Sequence, residues 1–532
     1  MNKLLQLKQS YWLLPVWSGI FIGTSYIPFP PWAVLFCFVP LWLFWQQQTT
    51  LKPVLISAVL TSFIYTLIGF NWVTYTLHEF AHVNWLLSGI GMVIFALFGH
   101  LFVPVAGVFW WYLSRTCSLA CPKLSLALMA VITALAELYV PMLFKWNFGY
   151  SWYGANIPVY QWAEFIGFTG LSMLSILTNL LVLFAWRQWS QLQGKLSLFA
   201  ILLVFLGLNA GGLWLKNRLP EPDAALTALL VQANIGNEEK MAIEQGKGFR
   251  AEILNKYLKV TDEGLAKNAN IDFVMWSETA FPYLLGGEYN QSHYSQLLRD
   301  FLRNHQAALI TGAYAKDQKT GLITNSIYIA DQQGNVQEPH YSKTNLLALG
   351  EYIPGEDSFP ILRTMLPMVG HFGRGAGPTV LNFKGYKLGP QVCYESLFPE
   401  FSKGLADQGA QLIVNVTNDS WYGTWQEPYQ HMYMTLARGV EFRRPVLRVT
   451  NTGVSTVSLA NGDILPLSPM ETSWTNAYHI AFNIQPPSTF YQRHIGLMPG
   501  LLWTALVVLL GIGLRFRFSQ KADEINFRAK PY

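Results

Sequence analysis

Eight apolar runs, each near the length that crosses a bilayer, flank one long polar stretch, and this division limits the chain more than any other feature. A spanning helix needs about 20 mainly apolar residues. Seven runs precede the polar stretch, at 11–28, 31–47, 53–75, 84–113, 123–144, 161–186 and 197–215, and one follows it at 495–514. Over the whole chain 52% of residues are hydrophobic and 13% are charged, whereas a soluble globular chain carries about 25% charged residues. Between Leu215 and His494 the composition becomes that of a soluble domain, long enough to bury its own core. The expected organisation is a seven-span region over 1–215, an extracytoplasmic domain over 216–494, an eighth helix over 495–514 and a loose basic cytoplasmic tail over 515–532. The first run is expected to remain in place as a span, because another apolar run follows at once and no small-residue cleavage site separates them.

Orientation follows from the basic residues of the short connections. With the N-terminus inside, the inner connections hold Lys3, Lys8, Lys52, Arg115, Lys123, Arg187, Lys195, Arg515, Arg517 and Lys521; the outer ones hold Lys145. The polar stretch then lies outside the cytoplasm. The net charge of +5 is small for 532 residues, and its basic residues lie beside apolar runs. That favours a membrane over nucleic acid as partner. Glu137 and His100 fall inside or near expected spans. An intramembrane carboxylate is either functional or hydrogen-bonded within the bundle, and both readings stand for Glu137.

The polar stretch alternates short apolar runs with amphipathic segments. Strands are predicted at Leu226–Gln232, Ile271–Trp276, Ala308–Gly312, Ser326–Ala330, Lys387–Val392, Leu412–Val416, Val446–Val449 and Ser455–Leu459. Helices are predicted at 240–267, 291–304 and 427–442, with a hairpin turn at Asn461-Gly462-Asp463. Such mixing predicts a layered α/β domain.

Of four cysteines, Cys37, Cys117, Cys121 and Cys393, only Cys393 lies in the polar stretch, which excludes a disulfide framework there. Cys117 and Cys121 have loose metal-ligand spacing without a partner pair, so no metal is expected. Cys393 stands at the end of the strand in Gly389-Pro390-Gln391-Val392-Cys393-Tyr394-Glu395-Ser396. A lone cysteine is more often an inert core residue; as a nucleophile it needs a base or a cation nearby. Val274-Met275-Trp276-Ser277-Glu278-Thr279-Ala280 puts a carboxylate at another strand end. Tyr341-Ser342-Lys343-Thr344-Asn345 adds an ammonium and leads to Gly350-Glu351-Tyr352-Ile353-Pro354. Taken singly, Glu278 reads as a solvated loop residue and Lys343 as a surface charge.

In the order Glu278, Lys343, Cys393 these segments resemble the nitrilase superfamily, whose catalytic set is Glu, Lys and Cys. With spans on both sides, the chain resembles the bacterial apolipoprotein N-acyltransferases nearly end to end. Further matching segments are Val231-Gln232-Ala233-Asn234-Ile235, Cys393-Tyr394-Glu395, Asn418-Asp419-Ser420-Trp421-Tyr422-Gly423 and Arg448-Val449-Thr450-Asn451-Thr452-Gly453. The resemblance implies an αββα nitrilase-like sandwich joined to a multi-pass α-helical domain. It implies Glu278 as general base, Lys343 as the cation facing the tetrahedral oxyanion and Cys393 as the acyl-carrying nucleophile. Glu351, Tyr394 and Glu395 are implied in support. The implied reaction moves an acyl chain from a phospholipid through a Cys393 thioester to the α-amino group of an N-terminal S-diacylglyceryl-cysteine on a lipoprotein. No metal or cofactor is implied. The implied location is the bacterial inner membrane with the catalytic domain on the periplasmic side, and nothing requires more than a monomer.

Two positions depart from the family pattern. Lys240 is followed by Met241 where the family usually has tryptophan, and Thr450-Asn451-Thr452-Gly453 replaces the commoner Thr-Asn-Asn-Gly. The apolar stretch Ile361–Val369 and the aromatics Trp421, Tyr422 and Trp425 are candidates either for membrane-facing loops or for core. Rival functions are a membrane-anchored amidase using the same triad, an acyltransferase with another acceptor, and a transporter bearing a binding domain. The last lacks the repeat symmetry and broken-helix pairs common in transporters.

Overall fold

A computed structural model describes residues 11–116, 122–237, 239, 248–367 and 369–528. The chain divides into two compact units. One comprises the residues up to Leu215 together with those from His494 onward, and the other is Lys216–Arg493. Cys117, Cys121 and Met241 lie outside the described residues.

The first unit is helical. Five helices among the described residues are long and apolar enough to cross a membrane: Leu51–Gly69, Trp85–Arg115, Pro158–Arg187, Leu192–Asn217 and Leu497–Ser519. Leu13–Gly23 and Pro31–Gln46 are shorter apolar helices. The expected runs are therefore not uniform rods, and proline explains most of the difference. The run 11–28 is helical only over Leu13–Gly23, ahead of Pro28, Pro30 and Pro31, since a residue before proline avoids the helical region. The run 31–47 divides into a 3-10 turn at Pro31–Leu35 and a helix at Val39–Gln46. The run 84–113 is interrupted between Phe98 and Phe102, where Pro104 has no N–H to offer the preceding turn. Residues 53–75 divide into helices Leu51–Gly69 and Val73–Ala81. The tail expected to be loose continues the last helix to Arg528, in a segment free of glycine and proline from Leu514 to Arg528.

Small residues bring these helices together. A Cβ on Gly19 would lie 2.7 Å from Ile64 Cβ, so only glycine permits that approach between Leu13–Gly23 and Leu51–Gly69. Buried Glu137 and His100 find partners. Ser172 Oγ lies 2.7 and 2.6 Å from the two carboxylate oxygens of Glu137 and accepts the Phe148 N–H at 3.1 Å. His100 Nδ1 meets Thr66 Oγ1 at 3.1 Å. Of the two readings of Glu137, the structure thus shows a hydrogen bond inside the bundle.

The second unit has two facing sheets. Strands β1 (Ala224–Gln232), β2 (Phe273–Trp276), β3 (Leu309–Lys316), β4 (Ile323–Ala330), β5 (Tyr341–Ser342), β6 (Leu381–Phe383), β7 (Tyr386–Val392), β8 (Leu412–Thr417), β9 (Val446–Thr450), β10 (Thr456–Ser458) and β11 (Trp474–Phe482) follow in chain order. One sheet runs β11-β1-β2-β3-β4-β5 and the other β10-β9-β8-β7-β6. At the centre of each, three strands are parallel: β1, β2 and β3, and β7, β8 and β9. Parallel strands covered on both faces read as unbroken apolar runs, and β2 and β8 are buried at every residue. Leu230, Phe273, Met275, Val392, Val414 and Leu447 fill the space between the sheets. Helices Arg250–Lys267 and His293–His305 cover the outer face of the first sheet. Helices Pro399–Asp407 and Glu427–Phe442 lie against the second. The layers are helix, sheet, sheet, helix. Strands β5, β6 and β11 and helix Pro399–Asp407 were absent from the sequence reading.

Leu230 is fully buried between the sheets. Leu230→Ala is expected to cost about 2–5 kcal/mol, through lost apolar burial plus a residual cavity. The fall in thermal unfolding temperature of the purified protein in detergent measures it.

Candidate active site

The three residues singled out from sequence leave their elements at one end of the two sheets. Glu278 lies two residues beyond the carboxyl end of β2, Lys343 directly follows β5, and Cys393 directly follows β7. The carboxyl ends of parallel strands are where α/β folds commonly build sites.

Glu278 is held by a close approach of backbones. Gly312 of β3 donates its N–H to Ser277 O at 3.2 Å and accepts Phe281 N–H at 3.0 Å. A Cβ on Gly312 would lie 2.5 Å from Thr279 N and 2.8 Å from Glu278 Cα. Thr279 adopts φ 49°, a left-handed conformation costly for a β-branched residue. The carboxylate accepts from Asn325 Nδ2 of β4 at 2.7 Å.

The Lys343 side chain is only 2% exposed. Its ammonium donates to Glu351 Oε1 at 2.8 Å and lies 3.7 Å from Glu278 Oε1. Burial disfavours the charged form, but Glu351 and then Glu278 outweigh it and hold the pKa above the ordinary lysine range. The Lys343 backbone is fixed too. Its N–H donates to Asn325 O and its carbonyl accepts from Gly375 N, both at 2.8 Å. Gly375 approaches so closely that a Cβ would lie 1.9 Å from Ser342 O. Glu351 is itself anchored by Leu347 N–H, 2.8 Å from its second oxygen.

Cys393 opens a 3-10 turn, Cys393–Leu397, at φ 50°. The thiol is buried, and the charges of both Glu278 and Lys343 act on it. Burial and Glu278 push the thiol pKa up well beyond its usual range, while Lys343 and a hydrogen bond from Thr417 oppose them. Ionisation of the Cys393 thiol is thus disfavoured, and a nucleophilic use of it would require a base to take its proton.

Glu395 ties the cysteine turn to the lysine loop. One carboxylate oxygen accepts from Tyr341 Oη at 2.6 Å, Thr344 N at 2.7 Å and Asn345 N at 3.0 Å. The other accepts Val392 N–H at 2.8 Å. Burial pushes its pKa up to about 6, against the pull of those donors. Tyr394 is half-buried and meets Phe398 edge-on at 5.1 Å. Burial, then the nearby Tyr352, pushes its pKa up to about 12.

Sequence reasoning passed over several residues that shape this cluster. Asn325 reaches both carboxylates, at 2.7 Å to Glu278 and 3.5 Å to Glu351; an asparagine within the otherwise hydroxyl-and-aliphatic β4 was the available signal. Gly375 carries no side chain that could have signalled its role. Asp419, Glu427 and His431 gather behind the cysteine, offering ligand-type atoms within 4.8 Å of one another. Arg448 already supplies the positive charge there, with Nη2 2.6 Å from Asp419 Oδ2. The set therefore reads as a hydrogen-bonded network rather than a metal centre. Among the candidate loop residues, Ile361, Met365 and Trp425 are exposed, whereas Tyr422 and Val369 are buried and belong to the core; Met368 lies outside the described residues.

Two predictions follow the electrostatics of the thiol. Removing the Glu278 charge lowers the thiol pKa, so Glu278→Gln should move the pH midpoint of iodoacetamide alkylation of Cys393 downward; Lys343→Ala should move it upward. Glu395→Gln turns an acceptor of four hydrogen bonds into an amide whose NH2 faces donors. It should cost about 1–3 kcal/mol, read as a lower unfolding temperature.

The chain matches two families: apolipoprotein N-acyltransferase N-terminal domain over residues 18–181 and carbon-nitrogen hydrolase over residues 227–478. An apolipoprotein N-acyltransferase of Bdellovibrio bacteriovorus is 40% identical over 509 residues, covering 93% of this chain and 91% of that protein. One of Geobacter metallireducens is 27% identical over 474 residues, covering 86% and 87%. Among solved structures, a carbon-nitrogen hydrolase from Helicobacter pylori is 16% identical with a TM-score of 0.35, covering 52% of this chain and 94% of that one. On the extent of these matches, the chain belongs to the apolipoprotein N-acyltransferase family.

Proposed function

We propose that this chain carries an acyl group from a phospholipid to the α-amino group of a diacylglyceryl-lipoprotein through a thioester on Cys393. Family membership makes it an acyltransferase that N-acylates lipoproteins, and its long apolar helices are those of a membrane protein. The observation that carries the thioester reading is the buried ammonium of Lys343 bracketed by Glu351 and Glu278, with both charges acting on the Cys393 thiol.

In the first step Glu278 takes the thiol proton and the sulfur attacks the ester carbonyl carbon. Lys343 faces the oxyanion of the tetrahedral intermediate. The carbon–oxygen bond breaks, and the lysophospholipid leaves as an alcohol with the proton held by Glu278. In the second step the lipoprotein amine attacks the thioester carbonyl and loses a proton to Glu278. The carbon–sulfur bond breaks, and the proton returns to sulfur. Glu351 holds Lys343 in place, and Glu395 keeps the two loops in register. Tyr394 and Glu395 border the nucleophile in sequence as supporting residues.

The proposed setting is the bacterial inner membrane. Seven spans precede a periplasmic catalytic domain over 216–494 and an eighth follows it, with residues 515–532 on the cytoplasmic side. The basic residues of the short connections support this orientation. Both substrates are lipids, and a site served from the bilayer avoids drawing acyl chains into water at about 0.8 kcal/mol per methylene.

Incubation with phospholipid and a diacylglyceryl-cysteine peptide tests the reading. The peptide with a free α-amine should gain one acyl mass, and its N-acetylated counterpart should gain none. Cys393→Ala should remove at least about 10³-fold of the rate, as loss of a covalent nucleophile does. Transfer by Cys393→Ala would overturn the Cys393 thioester, and cleavage of small amides with no acyl transfer would replace this reading with the amidase one.

A further inference from the structure

Cys393 holds a left-handed backbone at φ 50°, and side chains converge on its carbonyl oxygen. Ser396 Oγ donates to it at 3.0 Å and Asn415 Nδ2 approaches at 3.4 Å. Both donors lead to Arg448. Arg448 Nη1 donates to Asn415 Oδ1 at 3.1 Å and to Thr435 Oγ1 at 3.2 Å. Thr435 Oγ1 lies 2.7 Å from Ser396 Oγ. The direction of that bond follows by counting protons. Ser396 spends its only hydroxyl proton on the Cys393 carbonyl, so Thr435 must donate to Ser396. A one-way chain results: Arg448 to Thr435 to Ser396 to the Cys393 carbonyl. A parallel branch runs through Asn415, whose amide orientation is fixed because arginine cannot accept.

The origin of both branches is itself fixed. Arg448 is fully buried and its Nη2 donates to Asp419 Oδ2 at 2.6 Å. Asp419 also meets His431 Nδ1 at 3.1 Å. Burial opposes the Asp419 charge, and Arg448 restores it. Burial, then Arg448, lowers the His431 pKa, and burial, then Asp419, raises that of Glu427. Arg448 and Asp419, 2.6 Å apart, form the buried ion pair of the network. A Cβ on Gly453 would lie 2.3 Å from Asp419 Oδ2, so that glycine makes room for the pair.

We infer that Arg448 is a positioning residue for the nucleophile: through Thr435–Ser396 and through Asn415 it pins the carbonyl of Cys393 and so holds the strained turn that presents the thiol to Glu278 and Lys343. This rests on Cys393 being the nucleophile. Hydrogen bonds in a directed chain polarise one another, so links within one branch should couple, and the two branches, which share Arg448 Nη1 and the Cys393 carbonyl, should couple as well.

The test uses the full-length enzyme in detergent. It measures the single-turnover rate of Cys393 acylation by phospholipid, the apparent affinity for phospholipid, and the rate of iodoacetamide alkylation. Ser396→Ala should slow acylation about tenfold, the worth of about one hydrogen bond. Thr435→Val should slow it about threefold, and the double variant should match Ser396→Ala alone. Ser396→Ala with Asn415→Ala should slow it more than either change alone, by a factor that departs from the product of the two because they share the Cys393 carbonyl. Alkylation should slow in parallel, with the apparent affinity for phospholipid unchanged. Thr456→Val removes a buried hydroxyl of β10 that bonds Leu465 O; it should lower the unfolding temperature without slowing acylation. An acylation rate for Ser396→Ala within about twofold of the parent, or multiplication of the Ser396 and Thr435 effects, overturns the inference. Retained transfer by Cys393→Ala would instead overturn the function on which it rests, so the two failures are distinguishable.

Discussion

A buried ammonium between two carboxylates is the interaction on which the candidate site depends. Lys343 is held from water by the same loops that bring Glu351 to 2.8 Å and Glu278 to 3.7 Å. Removing an ion from water costs several kcal/mol, and attraction repays it only where geometry and hydrogen bonding are good. Here Asn325 and the Leu347 N–H satisfy the carboxylates. If one partner is lost, a charge remains buried without compensation. The arrangement therefore constrains three distant stretches at once, which is also what a proton acceptor and an oxyanion partner beside one sulfur require.

The fold supplies rigid places from which these loops depart. Each sheet contributes parallel strands ending at the same side, and close backbone approaches at Gly312 and Gly375 draw the loops inward. Thr279 and Cys393 both adopt left-handed backbone within three residues of a strand end. Such conformations persist only where neighbours over-determine them. Around Cys393 those neighbours are Ser396, Asn415 and the buried ion pair behind them.

Much of this was legible in the sequence because it is local. Period-two and continuous apolar runs marked the long strands β1, β2, β7, β8 and β9, and the carboxylate, ammonium and thiol each stood at or near a strand end. What was not legible depends on tertiary pairing. β5 is two residues long, too short for any periodicity to register, and β6 has a single polar residue, Asn382, between two apolar ones. β11 alternates weakly, as an edge strand half open to solvent. Gly312 and Gly375 look like ordinary strand and loop glycines until the neighbouring backbone is in view. Arg448 reads as a charge in a strand, and only the fold reveals that Asp419, 29 residues away, answers it. In the helical unit, apolar content was read correctly but continuity was not. Apolar composition survives at Pro28–Pro31 and near Pro104, whereas helical hydrogen bonding does not.

The most direct measurement is peptide mass spectrometry of the full-length protein after incubation with phospholipid alone. The account predicts one acyl mass on the peptide bearing Cys393, removed by hydroxylamine as a thioester should be and missing when Glu278 is glutamine or Lys343 is alanine. An unmodified Cys393 peptide from enzyme that still acylates lipoprotein, or the acyl mass on another residue, would contradict it.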